Sequence, residues 1–387
     1  MTVKEALDGN RGVGPGFHWL RHALSIAIVA NHCRAAIYFS MSGLVNEGGV
    51  GTSKASDLPS HWPTGLADLI RPGLFSLVGM FFALSGFLVT GSAVRNPKIG
   101  VFFANRALRI LPALSVEVML SACIIGPLCT TLALHAYLAD PKFVRYFGDI
   151  LGDVYFYLPG VFNDLPWPGI VNGNLWTLPA EFWCYALMMA AMVTGVLSDR
   201  RVLLFLLAIF FLAATALGFY DEIKFGVRLH NQYVVWYVVA MFWVGAAAFR
   251  YADYIPIKTS WFLISVASFW FCVITGFAAA LSGIFLCYCM LYLGILDWKW
   301  WNRNIRADHS YGIYLYGFPL MQTVVHFWQP YYGPVPAPAR VVILFIITTM
   351  LTLTFAEVSW RFVEKPALSL KRRFANNPTP AAGLSDA

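Results

Sequence analysis

Charge is scarce in this chain. Only 12% of its 387 residues are Asp, Glu, Lys or Arg, about half the share of a soluble globular protein, which excludes an ordinary soluble domain. Paired cysteines are missing as well. None of the seven forms a C-x-x-C pair, and an odd count among apolar residues excludes a disulfide framework or a zinc site. They read as small packing residues. No G-x-S-x-G, H-E-x-x-H or Walker loop occurs, so the serine-hydrolase, zincin and P-loop classes lose their usual signatures. The run GVGPGF near Gly12 lacks the preceding strand that a dinucleotide site requires. His18 and His22 are spaced i, i+4 but have no carboxylate near them in sequence, and no metal is expected. No internal repeat is visible, which weakens a transporter reading. No basic n-region precedes Phe17 and no small-residue cleavage site follows Phe39, so this stretch is read as an uncleaved span.

What the chain has in abundance is apolar length. It is 59% hydrophobic and 16% aromatic, with runs that reach the ~20 residues needed to cross hydrocarbon. The pattern predicts an all-α, polytopic membrane protein of about ten transmembrane helices. They fall near 17–39, 69–91, 107–132, 174–196, 202–220, 231–249, 259–275, 277–295, 311–328 and 340–363. The seventh and eighth meet at a turn around Gly276. If the N-terminus is cytoplasmic, 19 of 27 lysines and arginines lie on that side and seven on the other, with Arg34 inside the first span. That asymmetry places both termini in the cytoplasm. It also explains the net charge of +7 without nucleic acid. Residues 1–374 are read as one membrane domain and 375–387 as a disordered cytoplasmic tail. Two external segments stand out: a Gly/Ser-rich loop at 40–68, and a long one at 133–173 rich in aromatics, proline and acids. The second either packs over a pocket mouth or forms an interfacial aromatic belt.

Three clusters carry candidate chemistry. In RHALSIAIVANH, Arg21 and His32 are eleven residues apart, within about 20° of three full helical turns, so they share a face with Ser25. At 1.5 Å per residue, His32 lies about 16 Å deeper than Arg21, near the membrane centre. An ionisable group there is costly in lipid and marks a pathway or a catalyst more readily than packing. Arg34, on the other side of the helix, is expected to snorkel outward. In FFANRALRILPAL, Arg106 and Arg109 stand side by side at the start of the third helix. With Arg21 they make a phosphate site, although positive-inside anchoring explains an isolated R-x-x-R equally well. In NGNLWTLPAEFWCY, Thr177 or Asn174 is placed to cap a helix whose first turn holds Pro179 and Glu181. Glu181 then serves the cap, hydrogen-bonds an acceptor or orients an imidazole.

In order and spacing the chain resembles the acyltransferase family 3 of integral membrane proteins. The family's Arg/Lys, ten residues, His motif matches Arg21 and His32. FFALSGFL, with Ser85, matches F-F-x-x-S-G-F-L, and Arg106, Arg109 and Pro112 match R-x-x-R-I-L-P. WTLPAE matches W-S-L-x-x-E, with Trp176 and Glu181 kept and Thr177 in place of serine. SYGIYLYGFPL, with Tyr311 and Tyr314, resembles S-Y-x-x-Y-L-x-H-x-P, and WRFVEKP resembles R-x-x-E-x-P. Gly317 stands where many relatives carry histidine, so any role of that imidazole is absent or passes to His309 or His326. The esterase domain of some relatives is not present in these residues.

The resemblance implies an acyl-CoA-dependent O-acyltransferase of a bacterial inner membrane. An acyl group, acetyl by default, would pass from cytoplasmic acyl-CoA to a hydroxyl of an extracytoplasmic glycan, glycolipid or small hydroxylated acceptor. Arg21, Arg106 and Arg109 would hold the CoA phosphates. His32 would act as general base, with Glu181 beside it in the catalytic set. Ser85, Trp176, Tyr311 and Tyr314 would line the substrate side, and direct transfer is favoured over an acyl-enzyme at Ser85. No metal is implied, and membrane lipid is the only other partner. The alternative is a transporter or flippase whose inward polar stripe is a permeation path.

Overall fold

The computed structural model describes residues 1–10, 14–42, 66–225, 235–275, 281–297, 299–300 and 307–371. Residues 43–65 of the expected 40–68 loop, Gly12, the expected turn at Gly276 and the expected tail 375–387 lie outside them, while 40–42 and 66–68 are helical. The described residues are helical and carry only isolated β-bridges. The long helices among them are α1 (Phe17–Ser42), α2 (Leu66–Arg95), α3 (Ile99–Leu120), α4 (Leu178–Thr194), α5 (Arg200–Phe225), α6 (Val235–Arg250), α7 (Thr259–Thr275), α8 (Ser282–Ile295), α9 (Ser310–Trp328) and α10 (Ala337–Ser359). These follow the apolar runs read from sequence.

Among the described residues, length and hydropathy make three stretches capable of crossing a bilayer: Ser76–Arg95, Ile99–Cys129 and Ala337–Ser369, of 20, 31 and 33 residues. Large apolar side chains such as Trp183, Phe205, Leu212 and Met350 are left exposed on the outer faces, as a protein solvated by lipid requires. α1 has the opposite character. It carries three histidines and two arginines, and it sits inside the bundle, against α2, α8, α9 and α10. That is where polar groups must go when the solvent is hydrocarbon. All seven cysteines are free, and six are buried.

Small residues set the closest helix approach. A Cβ on Gly86 of α2 would stand 1.8 Å from the Phe242 carbonyl oxygen of α6, and one on Gly245 of α6 would stand 1.9 Å from that of Ala83. Only paired glycines let these backbones touch, the usual device of membrane helix packing.

Some local expectations change. α3 begins at Ile99 rather than near 107, so Arg106 and Arg109 lie two turns inside the helix and not at its N-terminus. Backbone N–H groups there are already bonded and add nothing to an anion site. Beyond Leu120 the chain passes through a π turn, Ser121–Ile125, into Gly126–Cys129. α10 likewise runs through a π turn, Trp360–Glu364, into Lys365–Ser369. Such turns rotate the side chains that follow. The segment 133–173, read from sequence as external, is not a loose belt. It folds through Leu134–Ala139, Pro141–Tyr146 and Phe147–Leu151. Leu158, Val161, Phe162, Leu165, Ile170 and Val171 are buried.

Candidate functional site

Arg21 and Arg109 converge on one carboxylate that the sequence reading missed. The Arg21 guanidinium donates to Asp308 Oδ2 at 2.7 Å, and Arg109 donates to the same oxygen at 2.9 Å. The other oxygen accepts from the Ser310 hydroxyl at 2.5 Å and the Ser310 N–H at 3.3 Å. Burial alone would push the Asp308 carboxyl up. Arg109 and Arg21 outweigh it and hold the group well below the usual carboxylate range. Arg109 also faces Glu364 Oε2 at 3.6 Å, which the π turn at the end of α10 carries inward. Arg106 points away from this knot, stacked 5.8 Å from the ring centres of Phe102 and Tyr185. It makes no ion pair among the described residues, and its Nε is buried without a hydrogen-bond partner. Lys371 lies close by. Burial, then the neighbouring Arg106 and Arg109, push its ammonium down to about 8. Arg21 and Arg109 in the knot, with Arg106 and Lys371 at its margin, face the carboxyls of Asp308, Glu364 and Glu181, so cations outnumber carboxyls by four to three.

The expectation that His18 and His22 have no carboxylate near them is overturned. Asp308 comes from far along the chain to stand beside both, with one ligand-type atom of each residue within 4.8 Å of the others. All three are bonded to protein. His18 Nε2 donates to the Ala307 carbonyl at 3.1 Å. His22 donates through Nδ1 to the His18 carbonyl at 2.9 Å and accepts the His309 N–H on Nε2 at 3.2 Å. Those two bonds require the neutral tautomer with its proton on Nδ1.

The same face of α1 meets α9 along its length, as the periodicity of Arg21 and His32 requires. Arg21 reaches Asp308 and His22 reaches His309. Val29 then meets Gly317, where an added Cβ would stand 2.6 Å from Val29 Cγ2. His32 meets Phe318, with ring centres 5.1 Å apart at 78°, and Trp167, at 6.3 Å and 88°. His32 Nδ1 is buried with no hydrogen-bond partner, which leaves Nε2 as the nitrogen open to a reacting group. Gly317 is therefore not an empty place left by a missing histidine, because Val29 fills it. His309 is held by Glu357 at 2.5 Å, and His326 lies against Phe162 at 5.8 Å. Neither imidazole is brought to His32. Arg34 donates to Asn31 Oδ1 at 3.2 Å.

The remaining site residues divide. Ser85, Thr177, Glu181, Tyr311 and Tyr314 line one cavity of about 70 Å³ together with Phe81, Phe242 and Asn174. That volume is several times what one water needs. Glu181 accepts from the Tyr185 hydroxyl at 2.5 Å, and no bond joins it to His32 among the described residues. Thr177 occupies the N-cap of α4 but makes no side-chain cap bond. Its hydroxyl is turned to the Asn174 carbonyl at 3.1 Å and Tyr314 Oη at 2.9 Å. Asn174 does not cap α4 either, because its amide donates to the Tyr314 carbonyl at 2.5 Å. Trp176 packs on the core beside the cavity without lining it, and Trp183 is 63% exposed.

Asp308 and Trp167 went unread, and Glu364 was read only as part of the WRFVEKP motif, because each acquires its partners by long-range pairing. The signal for Asp308 was an acid in a run otherwise basic, RNIRADH.

Among the described residues the fold is an all-helical bundle of apolar helices, with a partly buried arginine–carboxylate knot at one end of a polar helix and a histidine packed among aromatic rings further along it, and the family match makes it an acyltransferase. The chain belongs to the acyltransferase family 3, whose acyltransferase-domain model matches residues 15–357. It is 25% identical over 323 residues to an O-acetyl transferase of Shigella phage Sf6, covering 79% of this chain and 86% of that protein. It is 24% identical over 334 residues to Nodulation protein 10 of Rhizobium leguminosarum bv. viciae, covering 77% and 84%. No solved structure matches the chain.

Proposed function

We propose that the protein lies in a bacterial inner membrane, both termini cytoplasmic, and transfers an acyl group from acyl-CoA to an external acceptor hydroxyl. The acyl group is acetyl by preference, in line with the phage relative's name, and the acceptor is a glycan or glycolipid. The observation that carries this is the layout of α1. One helix holds Arg21 in the cationic knot and, about 16 Å further along, His32 with one nitrogen enclosed and the other open. The surplus positive charge of Arg106 and Lys371 suits CoA phosphates, with Arg21 and Arg109 oriented by Asp308 beside them. The thioester arm would run along the α1–α9 seam, with the small cavity of Ser85, Tyr311 and Tyr314 next to it. His32 would take the proton of the acceptor hydroxyl as its oxygen attacks the thioester carbonyl. The C–S bond then breaks, and the departing thiolate of CoA receives the proton.

Purified protein in proteoliposomes is given acetyl-CoA, and free CoA thiol is followed with and without acceptor glycan. Acceptor-dependent release of thiol is expected. His32→Ala and His32→Gln should lose about 10²–10⁴-fold of it, the range for a positioned general base, while CoA binding is kept. Full activity in either variant would return the imidazole to packing. No thioester turnover in the wild type, with glycolipid crossing the bilayer instead, would make the protein a flippase.

A further inference from the structure

Pro319 lies inside α9. Proline has no N–H, so the carbonyl four residues earlier, at Leu315, loses its helical partner. Asn172 supplies the replacement from the external segment, donating through Nδ2 to the Leu315 carbonyl at 3.0 Å. Beside it, Asn174 donates to the Tyr314 carbonyl at 2.5 Å. Beyond the proline the direction reverses: Gln322 of α9 donates through Nε2 to the carbonyls of Trp167, at 3.2 Å, and Ile170, at 3.0 Å. Asn172, Asn174 and Gln322 are all within 2% of full burial, so these bonds face no competition from water. Three amides bolt residues 167–174 to the kinked helix.

The turn leading into this segment is strained. Phe162 has φ +56°, a conformation that bulky residues rarely adopt. It is held there because its carbonyl accepts from Gly169 N–H at 3.0 Å and Leu165 N–H at 3.3 Å, while its side chain is buried. Strain persists where the surroundings over-determine it, and such places concentrate at functional sites. Here it serves to deliver Trp167. The indole stands 6.3 Å from His32 and 5.3 Å from Phe318. Phe318 is buried at 3% exposure, whereas Trp167 stays only partly buried.

We propose that Trp167, backed by Phe318, is the acceptor platform, and that Gln322 is the residue that positions it. The negative face of the indole takes the C–H face of a pyranose or similar hydroxylated ring, and a hydroxyl of that ring then points to His32 Nε2. This assignment rests on His32 being the base of acyl transfer. It gives the external segment a role in acceptor recognition, and it separates the acceptor groups from the donor groups at the other end of α1.

The test uses full-length protein in proteoliposomes, radiolabelled acetyl-CoA, and surface polysaccharide extracted from the parent organism with the gene deleted. Trp167→Ala is expected to raise the KM for polysaccharide about tenfold or more, the weight of one good contact. The KM for acetyl-CoA should stay within about twofold, and Trp167→Phe should recover most of the loss. Gln322→Leu, which removes both carbonyl bonds at similar volume, should shift the same acceptor KM and again spare the donor. An unchanged acceptor KM in Trp167→Ala, in an active wild-type background, overturns the platform. Equal shifts in donor and acceptor KM overturn it too, because they mean a general packing defect. A wild type that turns over no acetyl-CoA removes the transferase reading itself, and the platform with it.

Discussion

Asp308→Asn is the sharpest single perturbation of the arginine–carboxylate knot. The substitution keeps the shape of the side chain but removes the one negative charge shared by Arg21 at 2.7 Å and Arg109 at 2.9 Å. The side chains of Arg21, Arg109 and Asp308 are 30%, 20% and 17% exposed. The pairing therefore lies between a surface pair, worth about 0–1 kcal/mol, and a fully buried one, whose broken half costs about 3–5 kcal/mol. Arg21 loses its carboxylate and Arg109 keeps only Glu364 at 3.6 Å, so a loss of about 2–4 kcal/mol is expected after solvent screening. At roughly 2 °C per kcal/mol for a chain larger than 150–250 residues, the unfolding midpoint in detergent should fall by about 4–8 °C, read by tryptophan fluorescence. If the arginines hold the donor as proposed, CoA should restore part of this, because its phosphates would bring negative charge to the same guanidiniums and ligand binding stabilises the folded state. The pH profile has a definite sign. Asp308 is depressed in the folded protein, so its contribution is present above the unfolded value near 4 and is lost as pH falls below it. That acid loss should be absent in Asp308→Asn. An unchanged midpoint with an unchanged acid profile would refute the claim that Asp308 organises the arginines.

Gly317→His restores the residue common in relatives, but its Cβ would stand 2.6 Å from Val29 Cγ2. Overpacking of this kind costs about 1–3 kcal/mol and should lower activity by displacing α1 near His32. Val29→Ala in the same chain should recover both stability and activity, and failure of that rescue would remove the packing account. Asp149, within the 133–173 segment, is fully buried, and burial, then Glu117 and Asp153, pushes its carboxyl up to about 8. Its unfolded form ionises near 4, so stability should decline as pH rises between about 4 and 8 and then level off. Asp149→Asn should flatten that decline in thermal unfolding, whereas an identical slope would show that the carboxyl is not held protonated. A cysteine at Asp164 should react with a membrane-impermeant reagent in intact spheroplasts; protection there would invert the proposed orientation.

The helical repeat was enough to place Arg21 and His32 on one face, because 100° per residue is a property of the backbone and needs no partner. Hydropathy likewise anticipated the long helices. Of the residues the motifs put on the substrate side, Ser85, Tyr311 and Tyr314 line one cavity and Trp176 does not, while Glu181, read with His32, lines that cavity instead. Two local readings failed for local reasons. α3 starts earlier than the first obvious apolar run because Ile99–Phe103 already continues the helix ahead of the arginines. Thr177 does not cap α4 because Tyr314, from another helix, takes its hydroxyl.

The sequence by itself thus determined what is periodic or compositional: an all-α chain of apolar helices, one of them carrying a polar stripe from Arg21 to His32. Only the tertiary structure decided which groups answer that stripe. Asp308 lies 287 residues from Arg21 and reaches it through the packing of α9 on α1. Trp167 reaches His32 because Pro319 frees a carbonyl that Asn172 fills and Gln322 holds the segment down. Pairings of this kind join residues more than a hundred positions apart, and neither the period of a helix nor the hydropathy of a segment carries information about them.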